Sequence, residues 1–261
     1  MHSVFSLAWR GATIRYRRFG RGPALLFLGS EDSLPNAPEF TDTLAQDFDV
    51  IVPDHPGFRS SDTPVWLKGI GDVAYFYLDF LDQLDLTGVH LVGSSLGGWI
   101  AAEMAVRNCE RIATLNLISP FGIRRRGTAF GDIFMWTPEE NLLHRLFDSV
   151  LAERFLTTAR SQSQDEATAY LKDRYATARL CWHPRFHNPE LERWLHRLAK
   201  PLHLIWGDSD KVVPCAIAEA WRQALPQARL SMIERCGHLP QIEHPQATAE
   251  TIRSFISEAR S

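Results

Sequence analysis

Cysteine is scarce in this chain of 261 residues: there are four, Cys109, Cys181, Cys215 and Cys236. They lie far apart and form no CxxC pair, which argues against a disulfide-stapled secreted fold and against a thiolate metal site. Long apolar runs are missing too. No stretch approaches the roughly 18 residues a membrane span needs, and the opening "MHSVFSLAWRGATIRYRR" lacks the apolar segment of a secretory leader. Neither sign of charge dominates. The formal net charge of −3 gives little pull toward nucleic acid or an anionic membrane, so neither is expected as a partner. HxH and HExxH spacings are absent, so no metal is expected, and no internal repeat or low-complexity segment interrupts the chain. These absences together predict a soluble, cytoplasmic protein with reduced thiols.

What is present is a rhythm. Hydrophobic residues make up 45% of the sequence and charged residues 23%, a globular balance with enough apolar side chains for a sizeable core. "SVFSLAW" and "TIRYRRF" alternate around Gly11 as a hairpin does. "PALLFL" (23–28) and "FDVIVPD" (48–54) are short continuous apolar runs, the pattern of parallel strands buried on both faces. "APEFTDTLAQDF" between them, and "GDVAYFYLDFLDQLDL" (71–86) after them, carry helical spacing. Strand "GVHLVGS", helix "LGGWIAAEMAVRNCE" and strand "IATLNLIS" continue the alternation, which predicts a mostly parallel sheet with helices on both faces.

The rhythm changes after Gly122. Residues 123–198 read as an all-helical insertion, with Thr137-Pro138-Glu139-Glu140 as one helix start. The sheet resumes with "LHLIWGD" (202–208), a helix over 215–225, the strand "ARLSMIE" and a last helix after Pro245. Residues 1–122 and 199–261 therefore form one core, interrupted by 123–198.

"LVGSSLGGW" (91–99) admits two readings. Its small residues let a strand pass closely into a helix, or they place Ser95 as a nucleophile on a strained turn ahead of a helix N-terminus. Nucleophilic serine chemistry also requires a base and a group to orient that base. "LIWGDSDKVVP" supplies Asp208 and Asp210 directly after one strand, and "MIERCGHLPQIEHP" supplies His238 directly after the next. Either aspartate is available from spacing alone.

Over nearly its whole length the sequence resembles the α/β-hydrolase superfamily. "PDHPGFRSSDTP" (53–64) is similar to the loop after that fold's fourth strand, "GSSLGGW" to the nucleophile elbow, "WGDSDKVVP" to the acid segment and "CGHLPQIEHP" to the histidine loop. The resemblance implies an eight-stranded, mostly parallel sheet with a helical lid, residues 123–198, after the sixth strand. It implies a triad of Ser95, His238 and Asp210, the last by its match to the second aspartate of the acid segment. Ser30 and Leu96 would give the N–H donors of an oxyanion hole. Phe130, Trp136 and Leu239 are assigned to the substrate pocket. The reaction implied is cofactor-free hydrolysis of an ester or similar acyl bond in a small, largely apolar molecule, by a monomer or homodimer.

The sequence also departs from the pattern. The family's third strand usually ends in His-Gly; this one ends "LLFLGSEDSLP", with Leu28 in the histidine's place. Glu31 and Asp32 follow at once, and a carboxylate beside a developing oxyanion would oppose it. Both acids are expected to face solvent, with Arg59 available as a partner. Arg124-Arg125-Arg126 reads as a solvated face or an attractor of anionic substrate. His90, His144, His183, His187, His196 and His244 are read as structural or surface groups. Rival readings are a C–C bond hydrolase of ring-cleavage products, whose usual tryptophan after the catalytic histidine is here Leu239, and a lyase, cofactor-less oxygenase or binding protein on the same fold.

Overall fold

The computed structural model describes residues 3–31 and 37–259. Strands β1 (Ser3–Trp9) and β2 (Ala12–Gly20) form the expected hairpin around Gly11, whose φ of 77° suits a residue without a side chain. They are followed by β3 (Ala24–Leu28), α1 (Pro38–Leu44), β4 (Asp49–Pro53), α2 (Ile70–Gln83), β5 (Val89–Ser94), α3 (Leu96–Arg107) and β6 (Ile112–Ile118). The insertion holds α4 (Pro138–Arg145), α5 (Ser149–Arg160), α6 (Gln164–Cys181) and α7 (Leu191–Trp194). The chain closes with β7 (Leu202–Gly207), α8 (Cys215–Ala224), β8 (Arg229–Ile233), α9 (Pro240–Glu243) and α10 (Pro245–Glu258).

Eight strands make one sheet in the order β1-β2-β4-β3-β5-β6-β7-β8. The β1–β2 and β2–β4 pairs are antiparallel, and the rest are parallel. The unbroken apolar runs have a direct cause in this arrangement. Leu25, Phe27, Val50, Val52, Val92 and Ile205 pack on one face against Phe40 and Leu44 of α1 and Ile252 and Ile256 of α10. Leu26, Leu28, Ile51, Leu91, Leu204 and Trp206 point to the other face, where α2, α3 and α8 cover them. Successive side chains alternate between faces, so burial of both favours an apolar residue at nearly every position.

The predicted start of α4 is a full capping box. Thr137 Oγ1 accepts from the Glu140 N–H at 3.1 Å, and Glu140 Oε2 accepts from the Thr137 N–H at 2.8 Å. The inserted helices are not detached from the rest. Ala176, Leu180, Cys181, Leu191 and Leu195 belong to the same apolar cluster as α2 and α3. Among the described residues, no helix is long and apolar enough to cross a membrane.

Candidate active site

The turn between β5 and α3 serves both readings of "GSSLG". A Cβ on Gly97 would lie 2.1 Å from the Leu28 carbonyl oxygen, and one on Gly93 would lie 2.4 Å from that of Gly97. Only glycine lets the end of β3, β5 and the first turn of α3 approach so closely. Ser95, on this turn, has φ 55° and ψ −113°, a conformation disfavoured for a residue with a Cβ. The turn is held by Ser95 N–H to the Ile118 carbonyl at 2.9 Å, and by Trp99 and Phe121 N–H groups on the Ser95 carbonyl.

Ser95 Oγ lies 2.7 Å from His238 Nε2, and His238 Nδ1 lies 2.8 Å from Asp210 Oδ2. A carboxylate only accepts, so Nδ1 carries the ring proton and Nε2 is left to accept from the serine hydroxyl. Asp210 is fixed in turn, because its Oδ1 accepts from the N–H groups of Val212 at 2.8 Å and Val213 at 2.9 Å. The choice between the aspartates is thus decided by position: Asp210 reaches His238, and Asp208 does not. Asp208 instead accepts from the N–H groups of Arg235 and Cys236 and from the Ser209 hydroxyl, tying down the loop that leads to His238. The main-chain N–H of His238 donates to the Arg145 carbonyl at 2.7 Å, so α4 helps hold the imidazole in place.

The expectation for Glu31 fails. This side chain is 1% exposed and points inward. Its Oε2 accepts from the Leu96 N–H at 3.3 Å, and its Oε1 is gripped by Nη2 of Arg145, itself fully buried. The reason is electrostatic: a guanidinium taken out of water needs a counter-charge, and Glu31 supplies it. Burial lowers the Arg145 pKa to about 9, which still leaves it charged at neutral pH. Asn141 Oδ1 accepts from Arg145 Nε at 2.9 Å, and Thr177 of α6 donates its hydroxyl to the Glu31 carbonyl at 2.9 Å. Asp32 lies outside the described residues. Arg59 does not pair with Glu31; its Nε is 3.8 Å from Asp54, and its N–H donates to Asp173 at 2.7 Å.

Leu28 is fully buried, and a histidine from elsewhere in the chain reaches the loop that follows it. His55 Nε2 lies 3.1 Å from the Gly29 carbonyl, and its Nδ1 lies 2.6 Å from the Tyr77 hydroxyl. Burial holds the His55 pKa down to about 4, so the ring is neutral: it donates to Gly29 and accepts from Tyr77. The Gly97 N–H also reaches the Gly29 carbonyl, at 3.1 Å. Ser30 is half-buried between this anchored glycine and Glu31.

Of the pocket assignments, Trp136 stacks on His144 with ring centroids 4.3 Å apart, and Phe130 lies under the Arg124 guanidinium. Leu239 is fully buried in a small cluster with Leu146 and Ala152. The ring against His238 is Phe121, at 5.7 Å; Phe186 stacks on Phe121, and Phe134 on Phe186. Arg125 is paired with Glu192, as a surface group is. Arg145 and His55 were not picked out from the sequence. His55 stood inside a recognised motif, whereas Arg145 sat in an amphipathic helix with nothing to mark it.

The comparisons agree with this architecture. The model of the alpha/beta hydrolase family matches residues 10–251. A 2-hydroxymuconate semialdehyde hydrolase from Pseudomonas putida is 28% identical over 248 residues, covering 91% of this chain and 88% of the relative. Among solved structures, a membrane phospholipase A described as a bacterial virulence factor is 23% identical with a TM-score of 0.83, covering all of this chain and 87% of its own. A meta-cleavage product hydrolase from Pseudomonas fluorescens IP01 is 22% identical with a TM-score of 0.79, covering 98% of both chains. With the sheet order, the elbow at Ser95 and a family match running from the first hairpin into α10, this chain belongs to the alpha/beta hydrolase family.

Proposed function

We propose that this hydrolase is a serine hydrolase that cleaves an ester or similar acyl bond of a small, largely apolar molecule through an acyl-enzyme. The observation that carries the reading is the row Ser95 Oγ, His238 Nε2, His238 Nδ1, Asp210 Oδ2, closed by hydrogen bonds of 2.7 and 2.8 Å. Ser95 attacks the carbonyl carbon while His238 takes its proton, and Asp210 holds the imidazole in the tautomer that accepts. His238 then gives the proton to the leaving group. Water, deprotonated by the same imidazole, releases the acid and restores the serine. The N–H groups of Leu96 and Ser30 stabilise the oxyanion. Residues 123–198 act as a cap over the site, and the aromatic rings Phe121, Phe186 and Phe134 give its apolar wall.

The test is covalent labelling by a fluorophosphonate. The native chain becomes labelled at Ser95, and Ser95→Ala abolishes both labelling and turnover of short p-nitrophenyl esters, by roughly a thousandfold to a millionfold. A folded Ser95→Ala variant with substantial turnover refutes the assignment. A second reading, C–C bond hydrolysis of a ring-cleavage diketone, is favoured by the 28% identity to the 2-hydroxymuconate semialdehyde hydrolase. Comparing kcat/KM on a vinylogous diketone and on a p-nitrophenyl ester separates the two.

A further inference from the structure

The Glu31 carboxylate lies where a reacting acyl oxygen has to go. The Leu96 N–H, the hole donor supplied by the elbow itself, points at Oε2, and the opposite oxygen is held by the Arg145 guanidinium. A carboxylate is the product of ester hydrolysis and shares its charge and oxygen spacing with the groups an oxyanion hole is built to hold. Glu31 thus stands in the resting site as an internal product mimic. The group gripping its far oxygen is a cation from α4 with 0% side-chain exposure, which neither the elbow nor the β3 loop provides.

From this arrangement, and resting on the serine-hydrolase reading above, we propose that Arg145 is a further catalytic residue. It stabilises the oxyanion of the tetrahedral intermediate, and Glu31 is its counterion between turnovers. A bare buried guanidinium is costly, so the resting protein keeps it paired. When an acyl substrate enters, Glu31 rotates away from the Leu96 N–H, and the negative charge growing on the carbonyl oxygen takes over its place on Arg145. A charged donor fixed in a water-free site acts strongly on charge that appears only in the transition state. Three features orient Arg145 for this role. Asn141 holds its Nε, its carbonyl receives the His238 N–H, and its charge survives burial at neutral pH. Glu31 is inside because Arg145 is.

The experiment uses the full chain and compares Glu31→Gln, Glu31→Gln/Arg145→Met and Glu31→Gln/Arg145→Lys. Readouts are the rate of fluorophosphonate labelling of Ser95, kcat and KM separately for p-nitrophenyl butyrate, and the melting temperature. Glu31→Gln is expected to react roughly tenfold faster than the native chain while melting lower, because the plug loses its charge and Arg145 loses the carboxylate on its Nη2. In Glu31→Gln/Arg145→Met the buried guanidinium that had lost its carboxylate is gone, so the melting temperature recovers. Its kcat nevertheless falls roughly a hundredfold below that of Glu31→Gln, the usual cost of an oxyanion donor, with KM little changed. Lysine at 145 restores part of the kcat. Rate and stability moving in opposite directions is the signature, since a merely structural ion pair moves them together. Equal kcat in Glu31→Gln and Glu31→Gln/Arg145→Met overturns the role of Arg145 while leaving the serine reading intact. Absence of Ser95 labelling in every folded variant overturns both.

Discussion

Replacing Asp210 by asparagine tests the proposed relay at the point where its geometry is most exact in its demands. Asp210 Oδ1 accepts two main-chain N–H groups, from Val212 and Val213, at 2.8 and 2.9 Å. In Asp210→Asn the amide oxygen has to stay there, because an NH2 group cannot accept them. The NH2 group then occupies the Oδ2 position, 2.8 Å from His238 Nδ1, and presents a donor where an acceptor stood. The imidazole answers by accepting at Nδ1 and moving its proton to Nε2. That places an N–H against the Ser95 hydroxyl, and the base is gone. A loss of about 10⁴-fold in kcat/KM is expected, or roughly 5 kcal/mol in the barrier at about 1.4 kcal/mol per decade. Asp208→Asn preserves the shape of a group that only ties the loop, and should cost less than about tenfold. Ester hydrolysis and fluorophosphonate labelling of both variants, with melting curves to establish folding, provide the assay. Equal losses in two folded variants, or an Asp210→Asn enzyme within tenfold of native, refute the reasoning.

Gly97→Ala should yield little folded, active protein, because its Cβ would meet the Leu28 and Gly29 carbonyls at 2.1 and 2.5 Å; soluble yield and labelling rate check this. Stability should fall in mild acid. Burial holds His55 and His203 at pKa values of about 4 against an ordinary 6.5, so the unfolded chain binds protons that the folded chain refuses. The loss therefore grows as pH drops from 6.5 to 4, by about 3 kcal/mol for each ring. Denaturant titrations at pH 7 and pH 4 measure it, and His203→Asn should flatten the slope. Excising residues 123–198 should lower the melting temperature sharply and abolish turnover, because the segment supplies Leu180, Cys181 and Leu191 to the main core and Arg145 to the site. A truncated chain that melts like the parent contradicts this.

The sequence by itself determined the sheet, the order of its helices and the neighbourhood of the elbow. Strands buried on both faces read as near-continuous apolar runs, and Leu25–Leu28 and Val50–Val52 announce it. A strand-to-helix turn this tight must carry small residues, so Gly93 and Gly97 mark Ser95. His238 was legible because it follows a strand whose end fixes where the next loop begins; the same argument offered Asp208 and Asp210 together, the family resemblance favoured Asp210, and the fold sets Asp210 against His238 Nδ1. What tertiary structure alone decided is which polar groups meet across long separations. Glu31 was expected to face solvent because a loop carboxylate ordinarily gains nothing by burial. It is drawn inward by Arg145, 114 residues away in sequence, whose own helix carries no signal of a charge aimed at the core. His55 braces Gly29 across 26 residues for the same reason: a hydrogen bond requires only that two groups converge, and the chain can supply either one from any element the fold brings close.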